Sequence, residues 1–198
     1  IHSLVVGLTV AACSPLVCAE DFQGSTHKVE FDLEPIKYSD SEPTDPVTRL
    51  QRRLAAGEAK LPWDDKFGYL PGLLDLLGIS KSSQMLVFSK TSMQRRHISP
   101  ANPRALYFND DVYVGYIPGS EVMEISAVDP KLGGIFYRLD NEKVRRPRFM
   151  RDAQCLQCHA GPKTMGVPGH LVRSIATDET GEIDTQNEIA EMTHCAPL

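Results

Sequence analysis

The stretch RALYFNDDVYVGYI, residues 104–117, decides the fold class. Its two halves, residues 105–108 and 112–117, are strand-like runs separated by Asn109-Asp110-Asp111, which is typical of a tight turn. The pattern continues downstream, because a turn at residues 118–120 leads into a third run, 121–128, and Gly133-Gly134 introduces a fourth, 135–139. The sequence therefore predicts an antiparallel meander of about four strands.

Two short helices are predicted before this meander. Asp45 is suited to an N-cap, Pro46 to the first helical position and Gly57 to the end of the helix. A second amphipathic helix, residues 70–77, is closed by Gly78, and residues 84–88 form a candidate strand. Because helices come first and strands second, the sequence predicts an α+β fold rather than a small all-helical one.

After the meander comes Cys155-Leu156-Gln157-Cys158-His159, which reads C-x-x-C-H. This is the attachment signature of a c-type haem, in which two thiols one helical turn apart can add to the two vinyl groups of the macrocycle. His159 would then supply the imidazole that ligates the iron. The sequence predicts a short helix here that carries one covalent haem on Cys155 and Cys158.

Two other interpretations of the motif stay open. A structural zinc site needs four protein ligands, usually from two such pairs, and the remaining downstream cysteine is Cys195. A redox-active or structural dithiol would use the cysteines without iron, but no βαβ pattern surrounds this pair. For the basic residues before the motif, Arg145, Arg146, Arg148 and Arg151, contact with haem propionates and a solvated linker are both open.

Composition and the first residues favour an exported protein. The 198 residues carry a formal net charge of −5, which disfavours nucleic acid as a general partner. Residues 1–19 contain no Asp, Glu, Lys or Arg, and Val17-Cys18-Ala19 fits signal-peptide cleavage after Ala19. Lipidation of Cys13 is the alternative, and only this alternative would anchor the chain to a membrane. Both interpretations place the chain in the periplasm or otherwise outside the cytoplasm, where bacteria complete covalent haem attachment.

The rest of the chain divides around the motif. Residues 20–44 are polar and mixed, which predicts a flexible tether, and residues 45–178 form the predicted haem domain. Residues 178–184 are acidic, but Ile183 stands where a calcium loop needs glycine, so a plain turn is predicted. Residues 179–198 are predicted to be an atypical, partly disordered tail that contains the odd cysteine, Cys195.

Four motifs together resemble a family of exported bacterial cytochrome c domain-containing proteins of unestablished activity. They are SSQMLVFSKTS (82–92), PRALYFNDDVYVG (103–115), the C-x-x-C-H pentapeptide and GVPGHLVRS (166–174). The resemblance covers roughly residues 46–174. It implies one covalent haem c held by Cys155 and Cys158, with His159 as proximal ligand. Members of that family continue into a further segment with Trp and His, which implies that this chain is truncated at its C-terminus.

The sixth iron ligand decides between functions. A pure electron carrier usually has a second axial Met or His, whereas an open position suits ligand binding or peroxide chemistry. His170 is the first candidate, ahead of Met165, Met192 and His194, and a structural His170 is the alternative.

Three functions are therefore expected in order of preference. The first is an exported mono-haem electron carrier with a separate redox partner protein. The second is a haem-based sensor or ligand-binding module. The third is an enzyme, for example as the haem subunit of a larger periplasmic oxidoreductase. The sequence favours a carrier over a catalyst, because it names no second catalytic group.

Overall fold

A computed structural model describes residues 30–184 and 190–193. The helices are α1 (Pro46–Ala56), α2 (Leu70–Leu77) and α3 (Leu156–His159), and the strands are β1 (Met85–Val87), β2 (Arg104–Phe108), β3 (Val112–Tyr116), β4 (Val122–Asp129), β5 (Gly133–Asp140), β6 (Phe149–Arg151), β7 (Leu171–Ser174) and β8 (Ala190–Thr193). The predicted α+β class is confirmed. The predicted signal peptide with Cys13, and the tail residues His194 and Cys195, lie outside the described residues.

The main sheet has six strands in the order β1-β2-β3-β4-β5-β6. Each strand pairs antiparallel with its neighbour in the sequence. The predicted meander is therefore correct in topology, but four strands was too few. The missed strand β6 follows a run of arginines and is only three residues long, too short to show a period. Strand β7 pairs with β8 in a separate two-stranded sheet.

Alternation along the strands gives the sheet two different faces. The helix face carries buried apolar side chains from β3, β4 and β5, among them Val114, Ile125 and Ile135. Helices α1 and α2 pack against this face. The opposite face carries Tyr113, Ser126 and Phe136 at one level across the same strands, and we call it the site face. The core lies mainly between the helix face and the two helices.

Helix α1 begins and ends as its sequence predicts. Asp45 Oδ1 accepts hydrogen bonds from the backbone of Val47 at 2.8 Å and of Thr48 at 3.1 Å. Gly57 ends α1 and Gly78 ends α2, each in the left-handed conformation expected of a glycine cap. The second carboxylate oxygen of Asp45 accepts from the Tyr137 hydroxyl at 2.5 Å, so this cap also joins α1 to strand β5.

The segment before α1 differs from the expected flexible tether over residues 30–44. Tyr38 is 4% exposed and lies in the core. Arg151 of β6 donates to the Tyr38 carbonyl at 2.8 Å, and its guanidinium lies 4.5 Å from the centre of the Tyr38 ring. Thr44 donates its backbone N–H to Asp129 at 2.7 Å. The segment has no helical or strand period because it is held by single, widely spaced anchors rather than by a regular element.

The predicted turn, residues 178–184, packs against the loop between β1 and β2 of the main sheet. Asp178 Oδ1 accepts from the backbone of Thr180 at 2.8 Å and of Glu182 at 3.0 Å. Lys90 donates its backbone N–H to the Gly181 carbonyl at 2.9 Å, and its ammonium lies 3.2 Å from Glu182. The structure describes the first residues of the predicted tail, 179–184, as part of a turn that a hydrogen bond and an ion pair join to Lys90.

Candidate functional site

The C-x-x-C-H motif lies at the end of strand β6, on a short 3-10 turn, Ala153–Cys155, that continues into α3. Asp152 caps this turn by accepting from Gln154 N–H at 2.9 Å. It is also tied to β5, because its N–H donates to the Phe136 carbonyl at 3.0 Å and its carboxylate lies 3.1 Å from Arg138 Nε. The local sequence therefore fixes the motif against the site face of the sheet.

The two cysteines are free thiols in unlike surroundings. Cys155 is half-buried and packs against the core, whereas Cys158 is exposed. Burial, with smaller contributions from the carboxylates of Asp152 and Glu124, raises the pKa of the Cys155 thiol to about 12. Cys155 is therefore protonated at neutral pH, and a protonated thiol is a poor nucleophile for disulfide exchange.

His159 is held in one tautomer by the backbone. Its Nδ1 lies 2.9 Å from the Gly169 carbonyl oxygen. A carbonyl oxygen only accepts, so Nδ1 carries the proton and Nε2 presents its lone pair in the neutral ring. Phe136, which is 5% exposed, packs on the imidazole with 4.5 Å between ring centres. Histidines that ligate metals usually have this arrangement, with one nitrogen bonded to a backbone carbonyl.

The segment that supplies the Gly169 carbonyl fits closely onto the sheet. Gly134 N–H donates to the Pro168 carbonyl at 2.8 Å. At Gly133, whose φ is +76°, an added Cβ would lie 2.3 Å from the Pro168 oxygen. Sequence reasoning used Gly133 only as a strand start. The closeness of this contact requires a residue without a side chain.

Alanine at Gly133 should therefore lower the free energy of unfolding by more than the positive φ angle alone explains. Gly119 is a matched control, because its φ is +78° and an added Cβ would meet nothing within 4 Å. We expect Gly119→Ala to lower the free energy of unfolding by about 1–2 kcal/mol. Gly133→Ala should lower it by roughly 2 kcal/mol more, because the clash displaces Pro168. Equal losses in urea unfolding of the two variants would contradict the contact.

An open cleft of about 560 Å³ begins immediately after the motif. Phe31, Pro162 and Met165 give its wall apolar atoms, and Glu30 adds a carboxylate. Its volume is in the range of cofactor and ligand pockets. Met165, one candidate sixth ligand, is 68% exposed on this wall. The cleft does not include Cys155, Cys158 or His159, so it adjoins the motif without containing it.

His170, the predicted distal ligand, lies on the site face. Its Nε2 bonds Ser126 Oγ at 3.0 Å, and its ring packs on Tyr113 with 5.0 Å between centres. Ligation of iron through Nε2 would break the bond to Ser126. The role of His170 as sixth ligand stays a prediction. For Met192, also a candidate, the structure describes the strand but not the side chain.

Of the basic residues proposed for propionate contact, Arg151 already has backbone partners, the carbonyls of Tyr38 and Ser41. Arg145, Arg146 and Arg148 are exposed in the connection between β5 and β6, where their propionate role stays a prediction.

Two findings complete the description of the site. Within residues 30–184 and 190–193, no group of three or more His, Cys, Asp or Glu side chains could hold a metal ion. A haem iron needs only one or two protein ligands. In the same part of the chain no helix has the length and apolar character needed to cross a membrane.

The comparisons with known proteins leave the site to be interpreted from its own chemistry. No family model, curated protein or solved structure matches this chain.

The residues present fit a covalently attached haem. Two thiols stand at the correct spacing on a short helix, and the following histidine is held in the tautomer that an iron ligand needs. Cys155 and Cys158 would form the thioethers, and His159 would be the proximal ligand. Sequence reasoning proposed these three residues from the motif. It missed Asp152, Phe136 and Gly169, which orient them and which carry no signature of their own.

Proposed function

We propose that this protein is an exported mono-haem c-type cytochrome of the family that its motifs resemble. In this proposal residues 45–178 form the haem domain, and the haem c is bonded to Cys155 and Cys158. The observation that carries the proposal is the hydrogen bond from His159 Nδ1 to the Gly169 carbonyl, beside two free thiols. That bond fixes the Nδ1–H tautomer of His159, which ligation of iron through Nε2 requires. A pair of thiols that binds no metal does not require it.

A bound haem c supplies one-electron redox chemistry, and the polypeptide controls it through the surroundings of the proximal ligand. Phe136 packs on the His159 ring and limits its rotation. Gly169 accepts the Nδ1 proton in a hydrogen bond and so makes His159 a stronger electron donor. The buried Leu156, between the two cysteines, anchors α3 to the core at 4% exposure. Electron exchange with a separate redox protein is the function that these features support best.

One observation favours the second candidate, a haem-based sensor or ligand-binding module. The Nε2 atom of His170 is bonded to Ser126 Oγ in the structure. If that bond persists when haem is attached, His170 does not occupy the sixth position, which is then open to a small ligand unless Met165, Met192 or His194 fills it. A catalytic role, including that of a haem subunit in a larger oxidoreductase, has no such observation in its favour.

The proposal is tested by expressing the chain with a haem-attachment system in the bacterial periplasm. We expect the intact mass under denaturing conditions to include one haem, and the reduced protein to show the α band of a thioether-linked haem. Carbon monoxide then separates the two candidates, since it should change the ferrous spectrum of a ligand-binding module and not that of a six-coordinate carrier. A colourless product of bare polypeptide mass would refute both.

A further inference from the structure

The position of Gly169 determines how the His159 ring is oriented. Gly169 contacts His159 twice, because its carbonyl bonds Nδ1 at 2.9 Å and its N–H donates to the His159 carbonyl at 2.9 Å. A glycine has wide conformational freedom, so these contacts do not by themselves hold the peptide in place. Something on either side of Gly169 has to fix it.

Two anchors on the main sheet bracket Gly169. On one side, the Pro168 carbonyl accepts from Gly134 N–H at 2.8 Å. On the other, the His170 imidazole bonds Ser126 Oγ on β4 at 3.0 Å. Ser126 stands directly opposite Phe136 in the pairing of β4 with β5. Both anchors therefore belong to β4 and β5, which pair with each other along their whole length.

The His170 ring is itself packed between aromatic residues. Its centre lies 5.0 Å from that of Tyr113 and 5.8 Å from that of Phe136. Phe136 is the same ring that packs on His159 at 4.5 Å. The two imidazoles thus share one aromatic neighbour on the site face. The packing of the His170 ring restricts the position of the backbone that precedes it.

We propose that the Ser126–His170 hydrogen bond holds the Gly169 carbonyl against His159, which makes His170 a positioning residue for the proximal ligand. This inference rests on the proposed haem function for its redox consequence. A carbonyl that accepts from Nδ1 raises the basicity of the ligating nitrogen, which favours ferric over ferrous iron. A displaced carbonyl weakens that preference, so the reduction potential rises.

Three variants of the full chain test the assignment: Ser126→Ala, His170→Ala and His170→Gln. The Gln side chain keeps an N–H that can reach Ser126 but is a poor iron ligand. In the haem-loaded protein, we expect His170→Ala to weaken the ferric preference about tenfold, which is about 59 mV for one electron. Ser126→Ala should shift the potential in the same direction, and His170→Gln should stay near the wild type.

In the haem-free chain, the tautomer of His159 tests the assignment independently of haem binding. Nitrogen NMR of His159 should show the Nδ1–H tautomer in the wild type and in His170→Gln, and a mixture of tautomers in Ser126→Ala and His170→Ala. Unchanged tautomer populations in the last two would overturn the proposal, even if the wild type binds no haem and the proposed function fails. A sixth ligand lost in both His170 variants but kept in Ser126→Ala would also overturn it, because His170 would then ligate the iron.

Discussion

In the proposed cytochrome, we expect alanine at both Cys155 and Cys158 to remove covalently bound haem from the purified protein. A thioether needs a sulfur atom at each vinyl group, and these are the two thiols of the motif. Each single variant leaves one thioether possible, so it should retain some haem with an altered α band. The measurement is intact mass under denaturing conditions, together with the peroxidase activity of haem on a denaturing gel.

Cys195 supplies the matched control, since it is a cysteine outside the motif. Cys195→Ser should keep full haem loading when expressed beside the double variant. Haem that survives denaturation in the double variant would contradict the assignment. Loss of haem in Cys195→Ser with retention in the double variant would move the attachment site to another part of the chain.

Alanine at Asp45 lowers the free energy of unfolding by about 3 kcal/mol. Asp45 is 1% exposed and accepts from two backbone N–H groups of α1 and from the Tyr137 hydroxyl. Loss of an N-cap costs about 1 kcal/mol, and a buried hydroxyl left without its charged acceptor costs about 2 kcal/mol more. For a chain of this length the melting temperature should fall by roughly 6–12 °C.

Tyr137→Phe separates the two parts of this effect. Burial and the hydrogen bond to Asp45 raise the pKa of the Tyr137 hydroxyl, which therefore stays protonated and remains a donor at neutral pH. The Phe variant keeps the cap and should lose about 1–2 kcal/mol. The double variant should lose less than the sum of the two single losses, because the hydrogen bond between the two side chains is lost in each single variant and would be counted twice. Additive losses in urea unfolding would show that the two side chains act independently.

The elements that sequence reasoning predicted well are those with local signals. Asp45, Pro46 and Gly57 mark both ends of α1, and the structure places the helix at Pro46–Ala56 between them. The turn at residues 109–111 and the glycines before β5 likewise mark where strands end and begin. Such signals depend on backbone angles and nearby hydrogen bonds, which a few neighbouring residues determine.

What the sequence did not predict depends on contacts between distant residues. Strand β6 is three residues long and forms because β5 offers an open edge. Phe149 gains burial there, which no period in the arginine-rich connection indicates. The same holds for residues 30–44, where Tyr38 is buried and its carbonyl accepts from Arg151, 113 positions away in the chain.

The candidate site likewise combines residues that a local motif marks with residues that only distant contacts bring together. Cys155, Cys158 and His159 were proposed because covalent haem attachment would impose this fixed spacing. The residues that orient them do not share a spacing. Gly169 lies 10 positions after His159, and Ser126 lies 44 positions before His170. A single sequence cannot pair residues at such separations.

The connectivity of the sheet has a consequence for biosynthesis. Every strand from β1 to β6 pairs with the strand beside it in the chain, so each new ribbon can join a platform already made as the polypeptide emerges. Cys155 and Cys158 follow all six strands of that sheet in the chain, and Gly169, whose carbonyl orients His159, follows the cysteines. If folding keeps to this order, both thiols become available beside an assembled sheet before the hydrogen bond that orients the imidazole can form.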